Sequence, residues 1–292
     1  MTTTTPAEAL TDMLGEKVDD VSPVGGGDIC HAFMVRTTSG RTSFVKRLAG
    51  AADGFFASEA EGLRRLAEVH DGVPVPHVLA VDREHLALEW IASGAPSVPA
   101  AERFGRALAT THRHGCDAFG ALSARGWIGT LELPVGPWPS WNRMWAEGRL
   151  APYLRSARDS GSISKRDAAD VERVIDSIDT VAGPPESASL VHGDLWAGNV
   201  LWAEDGQNRL VDPAAQGGHR ESDLAMLALF GFPYLDRVLA SYLETWPLAD
   251  GWKDRQPLHQ LHPVLVHAVL FGGSYGHQAG QLARLVVGRL RS

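Results

Sequence analysis

Five residues could carry one reaction between them: Lys46, Glu59, Asp194, Asn199 and Asp212. The last three fall in the run Leu190-Val191-His192-Gly193-Asp194-Leu195-Trp196-Ala197-Gly198-Asn199-Val200-Leu201-Trp202 and the later Leu210-Val211-Asp212-Pro213. Acidic and polar residues here are bounded by apolar segments, so they sit on a loop between core strands and at the end of a short hairpin. Moving a phosphoryl group needs such a set: a carboxylate to accept a hydroxyl proton, and an amide with a second carboxylate to hold Mg2+ against nucleotide phosphates. Asp194 is the expected base, Asn199 and Asp212 the expected magnesium ligands, and ATP the expected donor. Any one of these residues alone reads as a turn or a strand stop; the ordered set does not.

The spacing agrees with the catalytic loop of protein kinases, where base and metal-binding Asn stand five positions apart and a second metal Asp follows a hairpin. Lys46 ends the apolar run Phe44-Val45-Lys46, where such enzymes keep the lysine that grips phosphates. Its partner should be an inward-facing helical carboxylate. Glu59 lies within the stripe Phe56, Leu63 and Leu66, whereas Glu61 falls on another face. A carboxylate aimed at the core must be paired or it is costly. Gly25-Gly26-Gly27 is neither a dinucleotide fingerprint nor a P-loop, but its place before the Lys46 hairpin would let backbone amides approach phosphates. Glu89 and Ile91 sit where a nucleotide base should meet the strand between lobes.

The elements that must hold these residues follow from pattern. His31–Arg36 and Thr42–Leu48 flank a Gly40 turn as a hairpin. A helix begins at Asp53 or Gly54, and strands are expected over Val78–Val81 and Leu86–Trp90. Ser93–Pro99, rich in Gly, Pro and Ser, reads as a linker. Beyond it the chain turns helical: Ala101–His112, Trp141–Leu154, Ser164–Ile178, Asp223–Phe230, Leu235–Trp246 and a long Leu258–Arg289 region broken by glycines. One β island, Val200–Trp202 with Leu210-Val211, interrupts them. The expected fold is α+β, protein-kinase-like and two-lobed. Residues 1–92 form a small antiparallel-sheet N-lobe that binds nucleotide, and residues 93–292 a larger helical C-lobe for catalysis and acceptor.

Bulk properties narrow the partners. The net charge of −8 over 292 residues argues against a general nucleic-acid binder, which needs a basic face, although a few local cations suffice for a nucleotide. Two distant cysteines, Cys30 and Cys116, give no disulfide framework. The Thr-rich start lacks the features of a signal peptide, and no apolar run is long enough to span a bilayer. A cytoplasmic protein without nucleic-acid or membrane partners is expected. His112, His114, His262 and His267 lack metal-site spacing and read as core or surface residues.

From Gly25 to Gly280 the sequence resembles the fructosamine kinase (ketosamine-3-kinase) family, a branch of the aminoglycoside and choline phosphotransferase superfamily. The resemblance rests on Phe44-Val45-Lys46, Phe56–Leu63, Trp127-Ile128-Gly129, Trp141 with Arg149-Leu150, His192–Asn199, Asp212-Pro213-Ala214, Gly218–Met226, Leu265-Val266-His267 and Phe271-Gly272. Trp196 stands where the superfamily's other branches usually carry His, and Gly-His-Arg-Glu-x-Asp-Leu-Ala is typical of the fructosamine branch. The resemblance implies ATP- and Mg2+-dependent phosphorylation of the C3 hydroxyl of ketosamines, free or on glycated protein, followed by elimination that frees the amine. It also implies Trp196, His219 and Glu221 as substrate residues, while Asp223, the helix-starting acid, reads as an N-cap or a loop brace and not as a catalyst. A monomer is favoured. Two departures stand out: Asp28 replaces a Cys common in eukaryotic members, and Leu131-Glu132-Leu133-Pro134 replaces the usual Gln-x-Asn. A kinase for an aminoglycoside, choline or another amino or sugar alcohol is the alternative. A nucleotide-binding pseudokinase is a third reading, against which the retention of all five reactive residues stands.

Overall fold

The computed structural model describes residues 6–25 and 29–289. Gly26, Gly27 and Asp28, expected in a phosphate-binding turn, lie outside the described residues. The chain opens with helix α1 (Pro6–Leu14) and strands β1 (Val18–Val24), β2 (His31–Thr37) and β3 (Thr42–Arg47). Helix α2 (Phe55–Ala67) and strands β4 (Val78–Val81) and β5 (His85–Glu89) complete the N-lobe. All five strands pair antiparallel in the order β1-β2-β3-β5-β4. The expected hairpin is β2–β3, turned at Gly40, whose φ of 87° favours glycine. Strand β1 is an addition to the sequence reading. Asp19, Asp20 and Pro23 mask its alternation, and its edge position tolerates a proline that cannot donate to a ladder.

The expected linker is short in the structure, because helix α3 (Val98–His114) starts three residues before Ala101, capped by the Ser97 hydroxyl. Three small strands follow: β6 (Gly120–Ala121), β7 (Gly126–Ile128) and β8 (Leu131–Leu133), the last two forming a hairpin. A continuous helical stretch then runs through α4 (Trp141–Arg143), a π-helical segment (Met144–Leu150) and α5 (Ala151–Asp159). The π segment coincides with Arg149, whose fully buried guanidinium bonds the Gly148 and Pro134 carbonyls at 2.9 Å each. Gln216 accepts from the same guanidinium through Oε1 at 2.5 and 3.1 Å.

After α6 (Lys165–Asp176) and α7 (Ile178–Val181) comes strand β9 (Ser189–Val191), which delivers the chain to His192–Asn199. Strands β10 (Val200–Trp202) and β11 (Asn208–Leu210) are the expected β island, and β12 (Gln216–Gly218) joins β6 and β9 in a third sheet. Helices α8 (Arg220–Leu229), α9 (Leu235–Thr245), α10 (Trp252–Phe271) and α11 (Tyr275–Gly288) close the C-lobe. The break between the last two falls at Gly272 and Gly273, at φ 65° and 61°. Among the described residues, no helix is long and apolar enough to cross a membrane.

The central core belongs to both lobes. Leu63 and Leu66 of α2 and Leu86 and Leu88 of β5 pack with Phe104, Leu108, Leu190, Leu195, Leu224 and Tyr242. Each fully buried leucine there contributes about 2 kcal/mol. A second core fills the C-lobe around Trp141, Trp145, Leu150, Val171, Leu261 and Ala283. Helices α3 and α9 meet at Gly105, where a Cβ would lie 2.2 Å from the Val238 carbonyl and 2.3 Å from Ser241 Oγ. Gly105→Ala should therefore force the two helices apart and cost about 3 kcal/mol, read as a lower urea midpoint with an unchanged slope.

Candidate active site

The loop after β9 is shaped by a buried carboxylate. Asp223, in the first turn of α8, accepts the backbone N–H of His192 at 2.7 Å and of Gly193 at 3.0 Å. It also accepts His112 Nε2 at 3.1 Å, while His112 Nδ1 meets the Tyr242 hydroxyl at 2.9 Å. Burial alone would raise the pKa of Asp223; the bonds from His112 and Gly193 hold it below the ordinary carboxylate value. Gly193 has φ 83°, and a Cβ there would lie 2.2 Å from the Ala214 carbonyl, so this turn requires glycine. His192 Nδ1 accepts the Asp194 N–H at 3.2 Å. Its proton is therefore on Nε2, which donates to the Val211 carbonyl at 2.9 Å. Burial pushes His192 below its usual pKa, so the ring stays neutral and ties the loop to the β11 end.

On this frame the expected reactive residues meet. Asn199 Nδ2 donates to the Asp194 carbonyl at 2.8 Å and to its carboxylate at 3.1 Å, and among the described residues Oδ1 has no protein donor. Burial first, and the Asp212 charge second, push Asp194 up to about 7 against the Asn199 bond. A half-buried carboxylate poised near neutrality could accept a proton at physiological pH. Lys46 Nζ lies 2.8 and 3.0 Å from the Glu59 carboxylate and 2.5 Å from Asp212 Oδ1. Burial alone would lower the lysine, but the two carboxylates raise it and keep it charged. Asp212 sits at φ 55°, a strained backbone for a non-glycine residue, with its side chain 41% exposed.

The remaining expected residues separate. Glu89 Oε2 accepts the His77 N–H at 3.2 Å, so its carboxylate is spent on β4's approach. Ile91 follows on the segment between the lobes, where Gly94 N–H bonds the Trp202 carbonyl at 2.6 Å and Ala92 accepts Glu204 N–H at 3.0 Å. Gly25 closes β1, with open space where a Cβ would stand. Trp196 is 41% exposed and lies over Gly198, where a Cβ would meet the indole at 2.3 Å. It stands edge-on to Phe230 at 6.5 Å, and Phe230, His267 and Phe271 continue an aromatic wall at 5.0 and 5.4 Å. Phe230 had no signal in the sequence; His267 and Phe271 had one, a four-residue spacing that puts both on one face of α10.

The two other expected substrate residues are buried. His219 and Glu221 are 4% and 3% exposed at the start of α8 and do not open to solvent. Arg255 clasps the Glu221 carboxylate at 2.6 and 3.0 Å, and His259 Nε2 lies 3.3 Å from it. Their work is to anchor α8, and with it Asp223. The ligand atoms of His219, Glu221 and His259 lie within 4.8 Å of one another, a spacing a metal could use. However, His219 Nδ1 accepts the Glu221 N–H at 3.2 Å, so its Nε2 keeps a proton and offers no lone pair. Burial would raise Glu221, yet His259 and Arg255 hold it at about 2, below its ordinary 4.5. The stability this supplies is complete above pH 4.5 and lost as pH falls towards 2, a gap worth roughly 3 kcal/mol. Glu221→Gln should flatten that acid limb while lowering stability at pH 7, as measured by urea unfolding across pH.

Comparison with known proteins agrees with this geometry. A family model described as fructosamine kinase matches residues 2–288. An Enterococcus faecium protein named as a probable ketoamine kinase is 33% identical over 268 residues, covering 90% of this chain and 93% of its own. The crystal structure of a Thermobifida fusca protein assigned as a fructosamine-3-kinase superposes with a TM-score of 0.92 at 46% identity, covering 99% of both chains. An aminoglycoside phosphotransferase in complex with ADP and hygromycin B shares the fold alone, with a TM-score of 0.65 at 18% identity over 98% of both chains. The fold is thus protein-kinase-like, and the chain belongs to the fructosamine kinase family of ATP-dependent kinases.

Proposed function

We propose that this kinase phosphorylates the C3 hydroxyl of ketosamines, the sugar adducts of amines and lysine side chains, and so begins their removal. The exposed indole of Trp196, two residues from Asp194 and continued by Phe230, His267 and Phe271, carries the reading. A ring of that area covers the apolar face of a sugar chain beside the base. Asp194, steadied by Asn199, accepts the C3 hydroxyl proton as the oxygen attacks phosphorus. Lys46, oriented by Glu59, holds phosphate oxygens through a charge its two carboxylate partners maintain. The free Oδ1 of Asn199 and the exposed Asp212 carboxylate are hard oxygen donors that fit Mg2+, which supplies neutralising charge at the phosphates when bound. In the product, enolisation at C1 and expulsion of the C3 phosphate leave an imine that water cleaves to the free amine and a deoxydicarbonyl sugar. Residues 1–92 serve as the nucleotide lobe and 93–292 as the acceptor lobe, in a cytoplasmic monomer.

ADP release should be fast with ribulosamines or fructosamines and slow with aminoglycosides and choline, with NMR placing phosphate on C3. Transfer to an aminoglycoside in preference to every ketosamine would sink the reading. Asp194→Asn should lower kcat by roughly a thousandfold while the ATP Kd and thermal midpoint stay close to wild type. Retention of most kcat would remove Asp194 as base. Trp196→His should reduce kcat/KM for ketosamines about tenfold with ATP affinity unchanged. A parallel loss of ATP binding and thermal stability would make Trp196 a brace of the loop.

A further inference from the structure

Helix α2 carries Glu59, and in regulated kinases the position of the corresponding helix is what activation controls. Here that helix is gripped by the C-lobe along one stripe. Phe55, Ser58, Glu59 and Gly62 recur at spacings of three and four and face the same way. At the helix start, a Cβ on Gly54 would contact Arg125 Cδ at 3.4 Å. Phe55 packs on Trp127 with ring centroids 5.8 Å apart and planes at 58°, while its other neighbour, Phe56, is buried in the shared core at 5.0 Å. The Ser58 and Ser123 hydroxyls lie 3.2 Å apart. Ser123, whose hydroxyl also lies against the Arg125 carbonyl, is the donor to Ser58, next to Glu59. One turn further on, a Cβ on Gly62 would lie 3.0 Å from the Ala215 methyl and 3.4 Å from Pro213, beside Asp212.

The gripping segment is not a free loop. Gly126 and Trp127 pair with Leu133 and Glu132 in the β7–β8 hairpin, and Ile128 and Leu133 belong to the C-lobe core. At the hairpin tip, Gly129 has φ 55°, and a Cβ there would lie 2.9 Å from Leu270 and 3.4 Å from Ile29. The segment therefore has its roots in one lobe and its contacts in the other. A helix that meets the C-lobe at Phe55, Ser58 and Gly62 cannot swing outward without breaking each of these contacts.

We propose that residues 123–127 are a fixed latch on the Glu59 helix, with Trp127 as the positioning residue that keeps Glu59 on Lys46. Folding alone then sets the pair, and no activating modification is needed. The inference rests on the reading of Lys46 and Glu59 as the pair that grips nucleotide phosphates, and not on the identity of the acceptor.

A double-mutant cycle on ATP turnover separates these layers. Trp127→Ala is expected to lower kcat/KM for ATP about tenfold in the wild-type background and less than twofold in a Glu59→Gln background. Trp127→Phe, which keeps a ring against Phe55, should recover activity to within threefold of wild type. Should the alanine variant unfold at the assay temperature, as its thermal midpoint would show, Trp127→Leu takes its place in the same cycle. An equal loss in both backgrounds overturns the latch, because Trp127 would then act without Glu59. If Glu59→Gln alone leaves turnover unchanged, the reading of the pair fails, and the latch with it. The intact mass of the active enzyme should match the unmodified chain; activity confined to a phosphorylated fraction overturns the proposal as well.

Discussion

The loop that presents Asp194 hangs on the carboxylate of Asp223. Its two oxygens collect the N–H groups of His192 and Gly193 and the imidazole of His112, with Asp223, His112 and His192 buried. A buried charge would be intolerable without such partners, and with them it becomes a rigid node. The two backbone donors fix the turn that presents Asp194, and His192 fastens that turn to the strand leading to Asp212. Below the node, Arg255 and His259 hold Glu221 in the same helical turn, so the brace itself stands on a second buried ion pair. Asp194 and the strand end before Asp212 thus share one support and keep their separation when the surface moves.

The lysine pair is supported differently. Lys46 comes from a strand, Glu59 from a helix and Asp212 from the other lobe, and their meeting depends on how three elements pack. Losing one partner of such a buried pair typically costs 3–5 kcal/mol, because the other charge is then stranded. The contacts that place α2 are apolar or between neutral groups: Phe55 on Trp127, Gly62 on Ala215, Ser58 with Ser123. They hold their strength in salt, where screening would weaken exposed charges. Position is set by packing, and charge is left free for chemistry.

Much of this was legible in the residues. Asp194, Asn199 and Asp212 announce themselves because loop chemistry obeys fixed spacing, and Glu59 because helical periodicity shows which carboxylate turns inward. The Gly40 hairpin and the β10–β11 island follow from alternation and turn residues. Strand β1 was hidden by its acids and proline, since an edge strand needs neither a full apolar face nor every ladder bond. The three-residue strands β6, β9 and β12 are too short to show any period, and their pairing is decided by tertiary contact. His219 and Glu221 were legible as polar residues in a functional segment, but their burial and their bonds within the α8 start and to Arg255 come from packing that no spacing shows. Trp127 belonged to a recognisable stretch, yet only its neighbour Phe55 reveals what it does.

The core that contains Leu63, Leu88, Phe104, Leu190 and Tyr242 has one further consequence. Proteins with two lobes invite treatment as cassettes, each free to be traded between relatives or to drift at its own pace. Here neither lobe owns a complete interior around the cleft: the sheet and α2 supply one wall of it, and α3, the loop and α9 supply the other. A lobe transplanted from a cousin would meet a wall cut to a different shape, and the misfit would fall directly behind Asp194. A substitution on one side of this core therefore has to be answered on the other if the packing is to be kept.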